Sequence, residues 1–231
     1  KFPNIGALDI RNACSGYIFA LSIADQYIKN GTFENILIVT AEVQSTAMDL
    51  SNRGRDTSVI FADGAAATIL SQTSDNIGIL STHLHSEGKY LKELWVEAPS
   101  SKANPKLNQD IIDKGKHFLK MNGREVFKHA VKRFPEVIIE ALDYNNLNID
   151  DIDLLIPHQA NIRISNMIQK KLGLEDNQVI SNIHSYGNTT AASIPIALCE
   201  SINNNKLSKG DTLVLAAFGS GFSWGSAILK W

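Results

Sequence analysis

The sequence predicts an α/β fold, and three observations predict it. Apolar segments alternate along the chain between a strand-like and a helix-like period. One strand–helix motif occurs twice. The composition, 44% hydrophobic and 20% charged over 231 residues, is ample for a core and too apolar for a disordered chain.

Taken in order, residues 5–10 form a short apolar run that reads as a strand. It hands over, through the small residues Ala13-Cys14-Ser15-Gly16, to a helix at 15–29. Gly31-Thr32 breaks that helix before Ile36-Leu37-Ile38-Val39, a β-branched run suited to a buried strand. Residues 58–71 and 77–83 read as two further strands joined by a polar turn. The stretch 97–110 carries two prolines with serines and asparagines, and predicts an exposed loop. Asn122 then caps a long amphipathic helix in which Val126, Phe127, Ala130, Val131, Phe134, Val137, Ile138, Ala141 and Leu142 recur on one face; Pro135 predicts a kink in it. A strand at 152–156 ends at Pro157. The helix at 162–172 closes with Lys170 and Lys171 and stops at Gly173. Residues 179–183 read as a strand, 191–202 as a helix, and 212–218 and 223–229 as closing strands.

The repeated motif is an internal echo. Cys14 opens a small-residue turn, an apolar helix and the strand ending at Ala41. Asn188 opens a similar turn, helix and strand ending at Ala217. Both continue into a glycine- and alanine-containing strand. An echo at this scale predicts duplication into two similar halves. Residues 1–96 are assigned to the first and 97–231 to the second. The second copy is preceded by a helix–strand–helix–strand lead-in, the first by 13 residues, so the first half is expected to lack its beginning.

Charge and cysteine usage narrow the function classes. With 22 basic and 24 acidic residues the net charge is −2, so no global field recruits nucleic acid or an anionic membrane. No run approaches the ~20 apolar residues of a membrane span, and no signal peptide opens the chain. Two cysteines argue against a disulfide-stapled secreted fold and for a reducing, cytoplasmic setting.

Three polar residues stand where strands end or helices begin. Cys14 faces helix N-terminal amides, which predicts a lowered thiol pKa; Cys199, inside an apolar helix, reads as a small buried hydrophobe. His158 follows Pro157 at a strand's carboxyl end, where α/β folds place catalytic groups. Asn188 sits in Gly187-Asn188-Thr189, and by itself reads as a cap. Gly219-Ser220-Gly221 offers backbone amides to a ligand. His83, His85, His117, His129 and His184 have no such setting; His83 and His85 share a strand face without a third ligand, so no metal site is expected. A thiol, an imidazole, a carboxamide and an amide loop together fit acyl transfer. A papain-type hydrolase has Cys, His and Asn in this order, but its local cysteine signature is absent.

Five segments instead closely resemble the β-ketoacyl-acyl-carrier-protein synthase III family: DIRNACSGY from Asp9, FADGAA from Phe61, PHQANIRI from Pro157, YGNTTAASIP from Tyr186 and FGSGFSWGSA from Phe218. The resemblance implies a thiolase-like αβαβα layered fold of two duplicated halves. It implies Cys14 as the nucleophile acylated by an acyl-CoA primer, acetyl-CoA being the expected one. His158 and Asn188 would donate hydrogen bonds to malonyl-ACP and to the enolate left as CO₂ departs. The backbone amides of Cys14 and Ser220 would form the oxyanion hole. Arg53 would pack on the CoA adenine, and Gln159, Ala160, Asn161, Ile162 and Arg163 would meet the acidic carrier protein, with Lys128, Lys170 and Lys171 near by. Arg124 stands where relatives often carry a small amide. No cofactor or metal is expected beyond the acyl-CoA and malonyl-ACP substrates, and a cytoplasmic homodimer is. The alternatives are a related condensing enzyme of secondary metabolism and a non-catalytic paralogue. A chain lacking part of its first half is expected to expose sheet edges, to aggregate and to turn over poorly.

Overall fold

The structure, a computed structural model, describes residues 4–231. Its elements in chain order are α1 (Gly16–Lys29), β1 (Asn35–Glu42), α2 (Arg55–Ser58), β2 (Gly64–Ser71), β3 (Gly78–Ser86), β4 (Leu94–Val96), α3 (Gln109–Asp113), β5 (Leu119–Met121), α4 (Gly123–Tyr144), β6 (Leu154–Pro157), α5 (Ile162–Leu172), α6 (Ile183–Tyr186), α7 (Ser193–Asn203), β7 (Thr212–Gly219) and β8 (Ser223–Lys230).

The strands make two principal sheets. β1 and β2 pair antiparallel, and β3, β8, β7 and β6 form a four-stranded sheet in that order, with only β6–β7 parallel. A small ribbon, β4–β5, stands apart. β7 runs through the centre and is buried along its whole length. Leu213, Leu215 and Ala217 point to one face and Val214, Ala216 and Phe218 to the other, as the two-residue period requires. The first face packs on α1 and α7, through Tyr17, Ile18, Leu21, Ile194 and Ala197. The second packs on α4 and α5, through Phe134, Val137, Ile138, Ile164 and Ile168. α1 and α7 also touch the β1–β2 sheet, so the described residues stack as sheet, helices, sheet, helices. These are four consecutive layers of the αβαβα order.

Several sequence expectations shift. Residues 5–12 form no strand: β1 has a single neighbour, β2, and among the described residues nothing supplies a ladder for the apolar run. Ser58 ends α2, residues 59–63 form the connection after it, and β2 begins at Gly64. Residues 179–183 make one parallel bridge, Leu155 to Val179, before the chain turns into α6. Asn122 does cap α4, its side chain accepting from Glu125 N–H. α4 runs as one element through Pro135, whose ring is buried on the core side. β3, assigned to the first half, pairs with β8, so the two sheets divide between Ser71 and Gly78 and not at residue 96.

The echo recurs in the order and spacing of the elements, in a shifted register. α1 and α7, and β1 and β7, begin at one common interval along the chain, which pairs Ala13 with Thr190 and Cys14 with Ala191. Asn188 is therefore not the counterpart of Cys14; it lies three residues before that point. Ala13 and Thr190 both hold positive φ, +44° and +47°, and each opens a 3₁₀ turn that leads into its helix. Two related turns thus carry the same backbone strain next to candidate residues Cys14 and Asn188. A Cβ on Gly16 would sit 3.5 Å from that of Ala191, so the two turns abut.

Candidate active site

Cys14, His158 and Asn188 line one cavity of about 550 Å³. Phe61, Leu94, Met121, Val126, Phe127 and Phe218 wall it, and the exposed Asp56 and Arg163 stand at its rim. All three candidate residues are buried: 4% of Cys14, 1% of His158 and 4% of Asn188 reaches the surface.

Cys14 sits in the Ala13–Ser15 turn at the head of α1, against the end of β7. A Cβ on Gly219 would fall 2.5 Å from Cys14 Cβ and 3.1 Å from its Sγ, so only glycine lets the strand approach the thiol this closely. The backbone N–H groups of Cys14 and Ser220 favour the thiolate, as expected for an oxyanion-hole pair, but burial outweighs them. Desolvation first, and then the Glu42 carboxylate, push the thiol up to about 12. The lowered pKa expected from the helix N-terminus is thus reversed: its depth leaves the thiolate without water.

Ser220 is held from several sides. Its hydroxyl donates to Leu94 O (2.7 Å), and the Ser223 hydroxyl donates to Ser220 O (2.8 Å). Ser223 also meets the buried Ser15 hydroxyl at 2.8 Å, which ties the amide loop to the turn that carries Cys14. Glu87 and Phe222 exchange two backbone hydrogen bonds on the far side of the loop.

His158 follows β6, its own N–H bonded to Ala216 O (2.8 Å). Nδ1 lies 2.6 Å from Ser193 Oγ, at the start of α7. That hydroxyl also accepts Gln159 N–H (3.3 Å), and Nδ1 is the one acceptor placed for its own proton among the described residues, so the hydroxyl donates to Nδ1. The ring proton is thereby assigned to Nε2, which is buried and unpartnered among the described residues. Burial drops the imidazole to about 4, so at neutral pH it is an uncharged donor facing the cavity.

Asn188 is fixed by its backbone. Its N–H donates to Ile60 O (3.0 Å), and its carbonyl accepts from Ala62 N–H (2.9 Å). Side-chain Oδ1 accepts Thr190 N–H (2.9 Å), which turns the amide Nδ2 towards the cavity that the residue lines.

The remaining candidates divide. Ala160, Asn161 and Arg163 line the cavity; Asn161 also caps α5 by accepting Arg163 N–H (2.9 Å), and Ile162 is exposed. Gln159 does not face a partner. It is 1% exposed, and its amide bonds inward to Pro157 O, Ile180 O and Asn182 N. Arg53 is not on the cavity wall either. Its guanidinium is taken by the Asp49 carboxylate and Asp113 O (3.0 Å) and packs on Gly115, bracing the loop after α3. Asp56, on the following turn, is the lining residue, a position the sequence offered no signal for. Cys199 is exposed, not buried. His83 and His85 both reach Glu140, at 3.2 and 2.6 Å. Lys128 pairs loosely with Glu125, and Lys171 bonds Val131 O (2.8 Å).

A buried thiol, a neutral histidine and an asparagine around one cavity in a layered α/β fold place the protein with acyl-transferring enzymes of the thiolase-like class. Residues 8–88 match the family described as 3-oxoacyl-[acyl-carrier-protein (ACP)] synthase III, and residues 142–231 its C-terminal domain. The β-ketoacyl-[acyl-carrier-protein] synthase III of Clostridium perfringens is 41% identical over 227 residues, spanning 98% of this chain and 68% of the relative. The crystal structure of 3-oxoacyl-[acyl-carrier-protein] synthase III from Aquifex aeolicus superposes with a TM-score of 0.88 at 39% identity, over 99% of this chain and 68% of that one. The priming β-ketosynthase of the R1128 polyketide pathway superposes at 0.85 with 29% identity, over 98% and 66%. The chain belongs to the β-ketoacyl-acyl-carrier-protein synthase III family.

Proposed function

We propose that the protein condenses an acyl-CoA primer with malonyl-ACP to give 3-oxoacyl-ACP, the opening step of fatty-acid synthesis. The observation that carries this reading is the convergence of Cys14, His158 and Asn188 on one cavity with apolar walls. In the first half-reaction Cys14 Sγ attacks the primer thioester, the amides of Cys14 and Ser220 hold the oxyanion, and the thiol proton leaves with CoA as CoA-SH. In the second, malonyl-ACP binds with its thioester carbonyl on His158 Nε2–H and Asn188 Nδ2–H. CO₂ leaves, the two donors hold the enolate, and its carbon attacks the acyl-Cys14 carbonyl. The tetrahedral intermediate collapses, releasing 3-oxoacyl-ACP and a Cys14 thiolate that takes a proton from water. Two neutral donors suit the enolate because neither changes protonation as charge develops. The chemistry is assigned to protein groups and the two thioesters, with no metal or cofactor.

Asn161, Ile162 and Arg163 at the rim, with Lys128 and Lys170 on the neighbouring helices, supply the face for an acidic carrier protein. A cytoplasmic homodimer goes with this reading; among the described residues no helix is long and apolar enough to cross a membrane. The likeness to a priming polyketide ketosynthase favours one second reading, the same chemistry with another primer. A screen of acetyl-, branched- and medium-chain CoA with malonyl-ACP tests both: 3-oxoacyl-ACP from acetyl-CoA above the others supports the first, a preference for longer primers the second. Absence of product from every primer overturns both.

A further inference from the structure

One carboxylate stands behind the two donors and ties their segments together. Glu200, on α7, accepts the Tyr186 hydroxyl at Oε1 (2.5 Å) and Asn182 Nδ2–H at Oε2 (2.8 Å). Asn182 immediately precedes α6 and Tyr186 is its last residue, so Glu200 grips that turn at both ends. Only Gly187 separates Tyr186 from Asn188. On the other side, Asn182 N–H donates to Gln159 Oε1 (3.0 Å), and Gln159 Nε2 donates to Pro157 O (2.7 Å) and Ile180 O (3.2 Å). Pro157 and Gln159 flank His158 in the chain. A continuous hydrogen-bonded path thus joins the neighbours of His158 to the turn that delivers Asn188, with Glu200 at its hub. The hydrogen bonds from Tyr186 and then Asn182 hold the Glu200 carboxyl below its usual range. The Cys14 turn takes no part in this path; it is tied through Ser15 to Ser223 and Ser220.

We propose that Glu200 is a positioning residue for the decarboxylating pair, setting the separation of His158 Nε2 and Asn188 Nδ2. The proposal rests on the reading of those atoms as the enolate donors. A carboxylate serves here because two donors converge on it. It presents an acceptor oxygen to each, where a carboxamide offers one acceptor and one donor group. Misplacing either enolate donor slows decarboxylation, while the acylation of Cys14 uses neither.

The test separates the half-reactions in Glu200→Ala and in the shape-conserving Glu200→Gln. Transfer of radiolabelled acetyl from acetyl-CoA to Cys14 is followed in one assay, and release of CO₂ from malonyl-ACP by the acylated protein in the other. Glu200→Ala is expected to slow CO₂ release by about ten- to a hundredfold, with Glu200→Gln between it and the parent. Acetyl transfer is expected to stay within about twofold in both variants. Amide hydrogen exchange read on the same proteins should quicken at residues 182–188 and not at 14–16. Equal losses in the two half-reactions, or unchanged CO₂ release, overturn the positioning role. An unmodified protein that accepts acetyl yet never decarboxylates malonyl-ACP overturns the functional reading instead. In that event the exchange data still report whether Glu200 clamps α6, and unaltered exchange overturns the clamp.

Discussion

His158 is packed where a charged imidazole would find nothing to replace water, and this gives the site a pH signature. The unfolded chain takes a proton on this ring below about 6.5, whereas the folded protein does so only near 4. The folded pKa is depressed, so the contribution to stability is complete above pH 6.5 and is lost as pH falls towards 4, by about 3 kcal/mol for a shift of this size. Urea unfolding across that window should show His158→Gln losing less stability than its parent; parallel curves would contradict the assignment of a buried neutral ring. Ser193→Ala removes the proton donor at Nδ1 and lets the ring proton move there, away from the substrate. Condensation should fall about tenfold or more while Cys14 acylation persists, as the two half-reaction assays would show. The grouping of Cys14, His158 and Asn188, which the structure brings to one cavity, was legible as a candidate site because a thiol, an imidazole and a carboxamide at strand ends and helix starts are chemically distinctive together. Gln159 was not, because sequence does not say which way a polar side chain beside a strand end turns. Nor was the state of Cys14: its sequence neighbours reveal the helix amides but not the depth of burial that overrides them.

At the level of elements, the ends of β7 and α4 carry the most weight. Gly219 closes β7 against Cys14, so Gly219→Ala must push strand and turn apart. Both half-reactions should drop by about a hundredfold, since a misplacement on the order of 1 Å suffices for that; a variant with unchanged acylation would show that the close approach does not matter. Phe134, 1% exposed, anchors α4 to the four-stranded sheet. Its replacement by alanine should cost about 3–5 kcal/mol in denaturant unfolding, and a loss under ~1 kcal/mol would contradict that packing. The long amphipathic α4, the capped α5 and the closing strands were legible because period and caps agree along each of them. Residues 179–183 look like a strand by composition and are not, because past the single bridge at Val179 the chain is turned by Asn182. The echo was legible as a repeat but not in its register, since similar small residues precede both helices and only the backbone shows which turn matches which.

Across the whole molecule, the outer face of the β1–β2 sheet is apolar and open, with Leu37 at 52%, Val39 at 61% and Ile69 at 72% exposure. A contiguous patch of this kind promotes self-association. Changing Val39 and Ile69 to threonine should lower the mass seen by light scattering at high concentration without shifting the unfolding midpoint much; an unchanged mass would place the association elsewhere. The layered arrangement was legible from the alternation of segments, but the division between the sheets was not, because β3 crosses to the sheet of β7 and β8 through a pairing 152 residues distant in the chain at its start, Gly78 to Lys230. The account centres on a Cys14 that is acylated and then discharged by a neighbouring donor pair, and intact-mass analysis with peptide mapping tests this most directly. Incubation with acetyl-CoA should add one acetyl group, mapped to the Cys14 peptide, and malonyl-ACP should then remove it with release of CO₂ and formation of 3-oxobutanoyl-ACP. A folded protein that carries no acetyl on Cys14, or one whose acetyl group survives malonyl-ACP, would contradict it.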